Sequence, residues 1–109
     1  IHVEDHNIAA HLVLQKGEVG QVYNIGAHNE ITNREITYRL LALCGRDESS
    51  ITPVADRLGH DRRYSVHIDK LSALGWTLSR TFEDSLAETV EWYRANRAWW
   101  EPLKARAGL

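Results

Sequence analysis

Apolar residues recur at three- and four-residue steps near the start of the chain. Ile8, Ala9, Leu12 and Val13 follow the acidic pair Glu4 and Asp5, and Gly17 closes the segment. Such spacing gathers apolar groups on one helical face, and the carboxylates favour the positive end of the helix dipole. A strand is expected over residues 21–25, ending at Gly26. Thr32 and Glu35 then form a capping box for a helix whose apolar stripe is Ile36, Leu40 and Leu43, with Gly45 as its stop. Residues 51–54 read as a second short strand, which Pro53 holds toward an edge. A short helix is expected near residues 69–74, closed by Gly75. Thr81 and Asp84 cap a longer helix carrying Leu86, Val90 and Tyr93, which runs on to Trp92, Trp99 and Trp100. The alternation predicts an α/β chain with short strands, and no repeat or low-complexity tract interrupts it.

Composition narrows the class without changing that picture. With 109 residues, 43% hydrophobic and 26% charged, the chain fits a single globular domain. The net charge of −2 argues against general nucleic-acid binding, which calls for a strongly basic surface. No apolar run approaches the ~20 residues that span a bilayer, and the first residues lack a basic-then-apolar leader pattern, so no membrane partner and a cytoplasmic location are expected. The lone Cys44 falls on the apolar side of its helix and is expected in the core. Ile1-His2-Val3 reads as the tail of a strand, and the chain is therefore expected to be a piece of something longer.

The chemistry concentrates in one run. Asp56-Arg57-Leu58-Gly59-His60-Asp61-Arg62-Arg63-Tyr64 sets three arginines around a glycine, directly after a predicted strand. Guanidinium forks match phosphate oxygens, and glycine lets backbone approach a ligand, so the run suits an anion. The competing reading is a solvated charge run or an internal ion-pair network. A second polar loop, with Asn24, Gly26, Asn29 and Asn33, also follows a predicted strand, and Asn33 lies where a helix N-terminus favours phosphate. Taken alone, those residues are ordinary turn formers. None of the six histidines forms a zinc-type pair and no cysteine partner is present, so no metal is expected. The tryptophans are expected to pack in a core or an interface.

Several stretches carry one resemblance between them. Val3-Glu4-Asp5-His6, Tyr23-Asn24-Ile25-Gly26, Asn29-Glu30 with Thr32-Asn33, Gly59-His60-Asp61-Arg62-Arg63-Tyr64, Leu74-Gly75-Trp76 and Thr89-Val90-Glu91-Trp92-Tyr93 match in order and spacing. Together they resemble the C-terminal part of the dTDP-glucose 4,6-dehydratase family, within the extended short-chain dehydrogenase/reductases. The Tyr-Asn-Ile-Gly and Leu-Gly-Trp pieces mark only the superfamily. His60-Asp61-Arg62-Arg63-Tyr64 resembles the dehydratases more than the nucleotide-sugar epimerases or decarboxylases. Ala27, where a second glycine is common, and Leu58, where a proline is common, depart from the family pattern.

The resemblance implies the substrate-binding lobe, residues 1–109, of an extended Rossmann-type enzyme whose dinucleotide-binding domain is absent. In that family NAD mediates oxidation at sugar C4, loss of water and reduction at C6. This sequence has no glycine-rich dinucleotide turn and no tyrosine followed four residues later by lysine, so no catalytic or NAD-binding residue is expected in it. What the resemblance carries over is substrate holding. Asn33 and Arg57 are implied to hold the diphosphate of a dTDP sugar, and His60 to reach ribose or phosphate. Asp56 is implied to shape the loop, and Tyr64 joins the binding set. Arg62 and Arg63 stay open, since some side chains must lock the loop to the body. A homodimer is implied for the whole enzyme. A nucleotide-sugar 4-epimerase or a non-catalytic nucleotide-sugar-binding module is the alternative.

Overall fold

A computed structural model of the chain describes residues 1–107. Local capping signals place its helices. α1 spans Val3–Lys16, and the His2 imidazole Nδ1 caps it by accepting from the Glu4 amide at 3.3 Å. α2 spans Asn33–Cys44 and starts from the expected capping box. Thr32 Oγ1 accepts from the Glu35 amide at 3.2 Å, and the Glu35 carboxylate accepts from the Thr32 amide at 2.9 Å. Gly45 ends this helix with a left-handed φ of 63°. A 3-10 turn follows at Glu48–Ser50, then a short α3 at Asp69–Ala73 and a long α4 at Phe82–Ala95, capped by Thr81. The expected continuous run into the tryptophans breaks at Asn96, after which α5 spans Arg97–Arg106.

The α/β expectation is overturned. Among the described residues there is helix and no strand. Residues 21–25 and 51–54 form no sheet, and an apolar extended segment becomes a strand only when a neighbour returns its backbone hydrogen bonds. No such neighbour is in place for either one. Gly26 does pass close to Val66, since a Cβ at Gly26 would stand 2.8 Å from Val66 Cγ2, and Asn24 Nδ2 donates to the His67 carbonyl at 3.3 Å. Side chains make that contact, without a ladder. Val3, expected at a strand end, is the first residue of α1.

The core is small and sits where α1 meets α3. Ala9, Ile68, Leu71 and Trp76 are buried, with Leu12, Val13 and Ile25 packed against them. Asp5 is buried there too, at 1% exposure. Its Oδ1 accepts from the Ser79 hydroxyl at 2.6 Å and from the Ser79 amide at 3.3 Å, while the Trp76 indole donates to its carbonyl at 3.3 Å. These bonds knit the first turn of α1 to the segment after α3. The Ser79 hydroxyl, opposed by burial, holds the Asp5 carboxyl below its ordinary value.

A second cluster joins α2 to α4 and α5. Arg39 pairs with Glu83 and stacks over the Phe82 ring, and Arg94 donates to the Leu43 carbonyl at the end of α2. Trp92 meets Tyr93 and Trp99 edge-on, and the Trp100 indole donates to the Tyr93 carbonyl at 2.8 Å. Cys44 is exposed, so its expected place in the core is corrected; Trp92 and Trp99 are exposed as well, outside any core of this chain. The radius of gyration is 17.2 Å, against about 13 Å for a compact domain of this length. Extended loops, rather than a sheet, join the helical clusters.

Candidate functional site

Two loops carry the residues singled out by the sequence. The first runs from Gly26 to Thr32 and delivers Asn33 as the opening residue of α2. Asn33 is exposed, at the end of the helix where unpaired amides point outward. The second covers residues 51–67 and leads into α3. Gly59 turns within it at φ 72°, with nothing within 4 Å of where a Cβ would stand. Only backbone conformation, not crowding, selects glycine at that point.

Short internal contacts shape the arginine loop. Asp56 Oδ1 lies 2.7 Å from His60 Nδ1, and the His60 amide donates to the Arg57 carbonyl at 3.3 Å. A carboxylate can only accept, so the ring proton sits on Nδ1 and Nε2 is left to meet a ligand, as an acceptor when the imidazole is neutral. Asp56 thus holds the His60 ring within the loop. Tyr64 donates its hydroxyl to Asp61 Oδ2 at 3.0 Å.

One carboxylate bridges the two loops. A single Arg63 guanidinium nitrogen lies 2.7 Å from Glu30 Oε1 and 2.6 Å from Oε2, and the Ser65 hydroxyl donates to Oε1 at 2.6 Å. Arg63, and after it Ser65, hold the Glu30 carboxyl below its ordinary value, and Glu30 raises that of Arg63 in return. Arg57 and Arg62 have no ion-pair partner among the described residues. Two cations of the loop therefore stand available to an anion, while the third is spent on the tie.

A cleft of 260 Å³ opens between the loops, lined by Gly26 to Glu30, by Tyr64 to Val66 and by Ile1. His28 lines it with a φ of 52°, left-handed for a residue that is not glycine. Of the five residues expected to bind, only Tyr64 lines this cleft. Asp56 and His60 are brought together; no hydrogen bond or ion pair joins either of them, or Arg57, to Asn33 among the described residues. Glu30 and Ser65 were not singled out for any role by the sequence. A carboxylate 33 positions from its arginine leaves no local spacing to detect.

The same helices and loops recur in much larger solved enzymes, so the fold defines one region of a longer enzyme class. That class is dTDP-glucose 4,6-dehydratase, and this chain is homologous to the C-terminal third of its members. The enzyme of that name from Streptomyces venezuelae, solved with NAD bound, superposes with a TM-score of 0.91 at 50% identity over 95% of this chain and 33% of its own. The one from Bacillus anthracis, in complex with NAD, gives 0.88 at 47% identity. In sequence, the dTDP-glucose 4,6-dehydratase of Streptomyces antibioticus is 48% identical over 107 residues, which are 97% of this chain and 32% of the relative. That of Escherichia coli is 44% identical over 115 residues, again 32% of the relative. The chain thus spans about a third of the length of the curated relatives it matches. No protein-family model matches the chain.

Proposed function

We propose that this chain is the substrate-binding part of a dTDP-glucose 4,6-dehydratase, a lyase that converts dTDP-glucose to dTDP-4-keto-6-deoxyglucose. The observation that carries the proposal is the tied pair of loops, with a helix N-terminus and two arginines that have no ion-pair partner among the described residues, in a chain homologous over nearly its whole length to enzymes of that name. When bound, NAD supplies the hydride chemistry of such a reaction. The residues of this chain do not fit it, for they include no glycine-rich dinucleotide turn, and none is assigned to it.

What these residues do is hold the substrate. Arg57 pairs with diphosphate oxygens through its guanidinium fork, and Asn33 meets the same group from the start of α2. His60, oriented by Asp56, offers Nε2 to a ribose hydroxyl or phosphate oxygen. Tyr64 closes the edge of the cleft. Binding the remote nucleotide orients the sugar at the distant reacting carbons, so this region bears on rate as well as affinity. Homodimeric assembly and a cytoplasmic location complete the proposal; among the described residues no helix is long and apolar enough to cross a membrane. Incubating the intact protein with dTDP-glucose and assaying the product in strong base tests it. A base-absorbing keto-deoxy sugar is expected, and an epimerised or unchanged sugar overturns the proposal.

A further inference from the structure

Among the described residues, every hydrogen bond or ion pair that leaves residues 52–66 ends on one side chain, Glu30. The others, Asp56 with His60, the His60 amide with the Arg57 carbonyl, and Asp61 with Tyr64, stay inside the loop. We infer that Glu30 is a positioning residue, a latch that sets the arginine loop against the start of α2 so that Arg57 and Asn33 can act on one nucleotide diphosphate; this rests on the function proposed above.

The geometry gives the latch its leverage. Glu30 lies three residues before Asn33, and Arg63 lies six residues after Arg57, so one carboxylate joins the two limbs near the groups they carry. Two donors from the second loop converge on that carboxylate, with Ser65 and the Arg63 nitrogen both on Oε1. Two points fix a direction where one would leave a pivot. Arg63 and Glu30 are both substantially exposed, at 67% and 47% of side-chain area, and exposed pairs contribute little to folding. Between positions 52 and 66 the loop has no helix, no strand and no buried residue, and its other contacts with the first loop, Val66 near Gly26 and Asn24 on the His67 carbonyl, lie at its far end, beyond Ser65. Losing the latch should therefore free the loop without unfolding the protein. Misplacing a binding group by about an ångström is enough to cost a large factor in function.

Two measurements on the intact protein test this. Limited trypsin digestion without ligand reads the loop directly at Arg57 and Arg62, and calorimetric titration with thymidine diphosphate reads its consequence. Glu30→Ala should speed cleavage in the loop several-fold and weaken thymidine diphosphate about tenfold, with the thermal midpoint unchanged. Glu30→Gln keeps an acceptor oxygen for Ser65 and Arg63 and should recover part of both effects, a rescue that general loosening of the fold does not give. Arg63→Ala should weaken binding similarly, and combining it with Glu30→Ala should add little, because the pair acts as a unit. Unchanged cleavage in Glu30→Ala overturns the latch, as does faster cleavage with unchanged affinity. A wild-type protein that does not bind thymidine diphosphate overturns the proposed function instead, while the digestion still decides whether the loop is latched.

Discussion

The α1–α3 core and the arginine loop are held by opposite means. In the core, Ala9 and Leu71 are fully buried, and the buried Asp5 ties α1 to Ser79 and Trp76. In the loop, every residue from 52 to 66 is exposed, and among the described residues the hydrogen bonds and ion pairs that leave this stretch all end on the exposed Glu30 carboxylate. Burial and the proposed ligand contacts thus fall in separate parts of the chain. Substitutions in one should leave the other's observable largely alone.

The largest expected effect falls on the core. Leu71→Ala removes a fully buried side chain and should destabilise the intact protein by about 2–5 kcal/mol, read from the denaturant midpoint. Below its lowered transition, thymidine diphosphate affinity should be unchanged; a parallel loss of affinity would break the separation.

Asp5 gives the next effect, and its sign follows from its depressed carboxyl. A group whose folded value lies below its unfolded one contributes stability that is fully present above the unfolded value, near 3.8. That stability is lost as pH falls from there through the folded value. Asp5→Asn should be less stable than wild type at neutral pH, and the gap should narrow on acidification below about pH 3.8, seen in thermal midpoints across an acid series. A gap that stays constant with pH would remove the carboxylate from the account of the core.

Gly59→Ala is the smallest and acts on the loop alone. Its φ of 72° costs a side chain about 1 kcal/mol, which should appear as roughly fivefold weaker nucleotide binding, with the thermal midpoint unmoved. A lower midpoint with intact affinity would reverse the assignment of that glycine.

The parts of this molecule that can be read from sequence are those decided within one helical turn. Thr32 with Glu35, Thr81 with Asp84, and the glycines at 17, 45 and 75 act on neighbours, and each marks a boundary the structure keeps. That residues 21–25 and 51–54 stay unpaired was not legible, because pairing is a property of two distant segments and an extended apolar stretch looks alike whether paired or not. Cys44 misleads for a related reason: an apolar stripe promises burial only if something covers it. Within the site, Arg57, His60 and Tyr64 stood out as residue types clustered in one run. Glu30 did not, since its partners lie on another loop.

The central claim is that the arginine loop holds a nucleotide diphosphate through Arg57. Titrating the intact protein with thymidine diphosphate, wild type beside Arg57→Ala, measures it most directly. The expected result is an affinity at least about tenfold weaker in the variant, as for a lost charge-assisted contact, with an unchanged thermal midpoint. Equal affinities for the two proteins would contradict it.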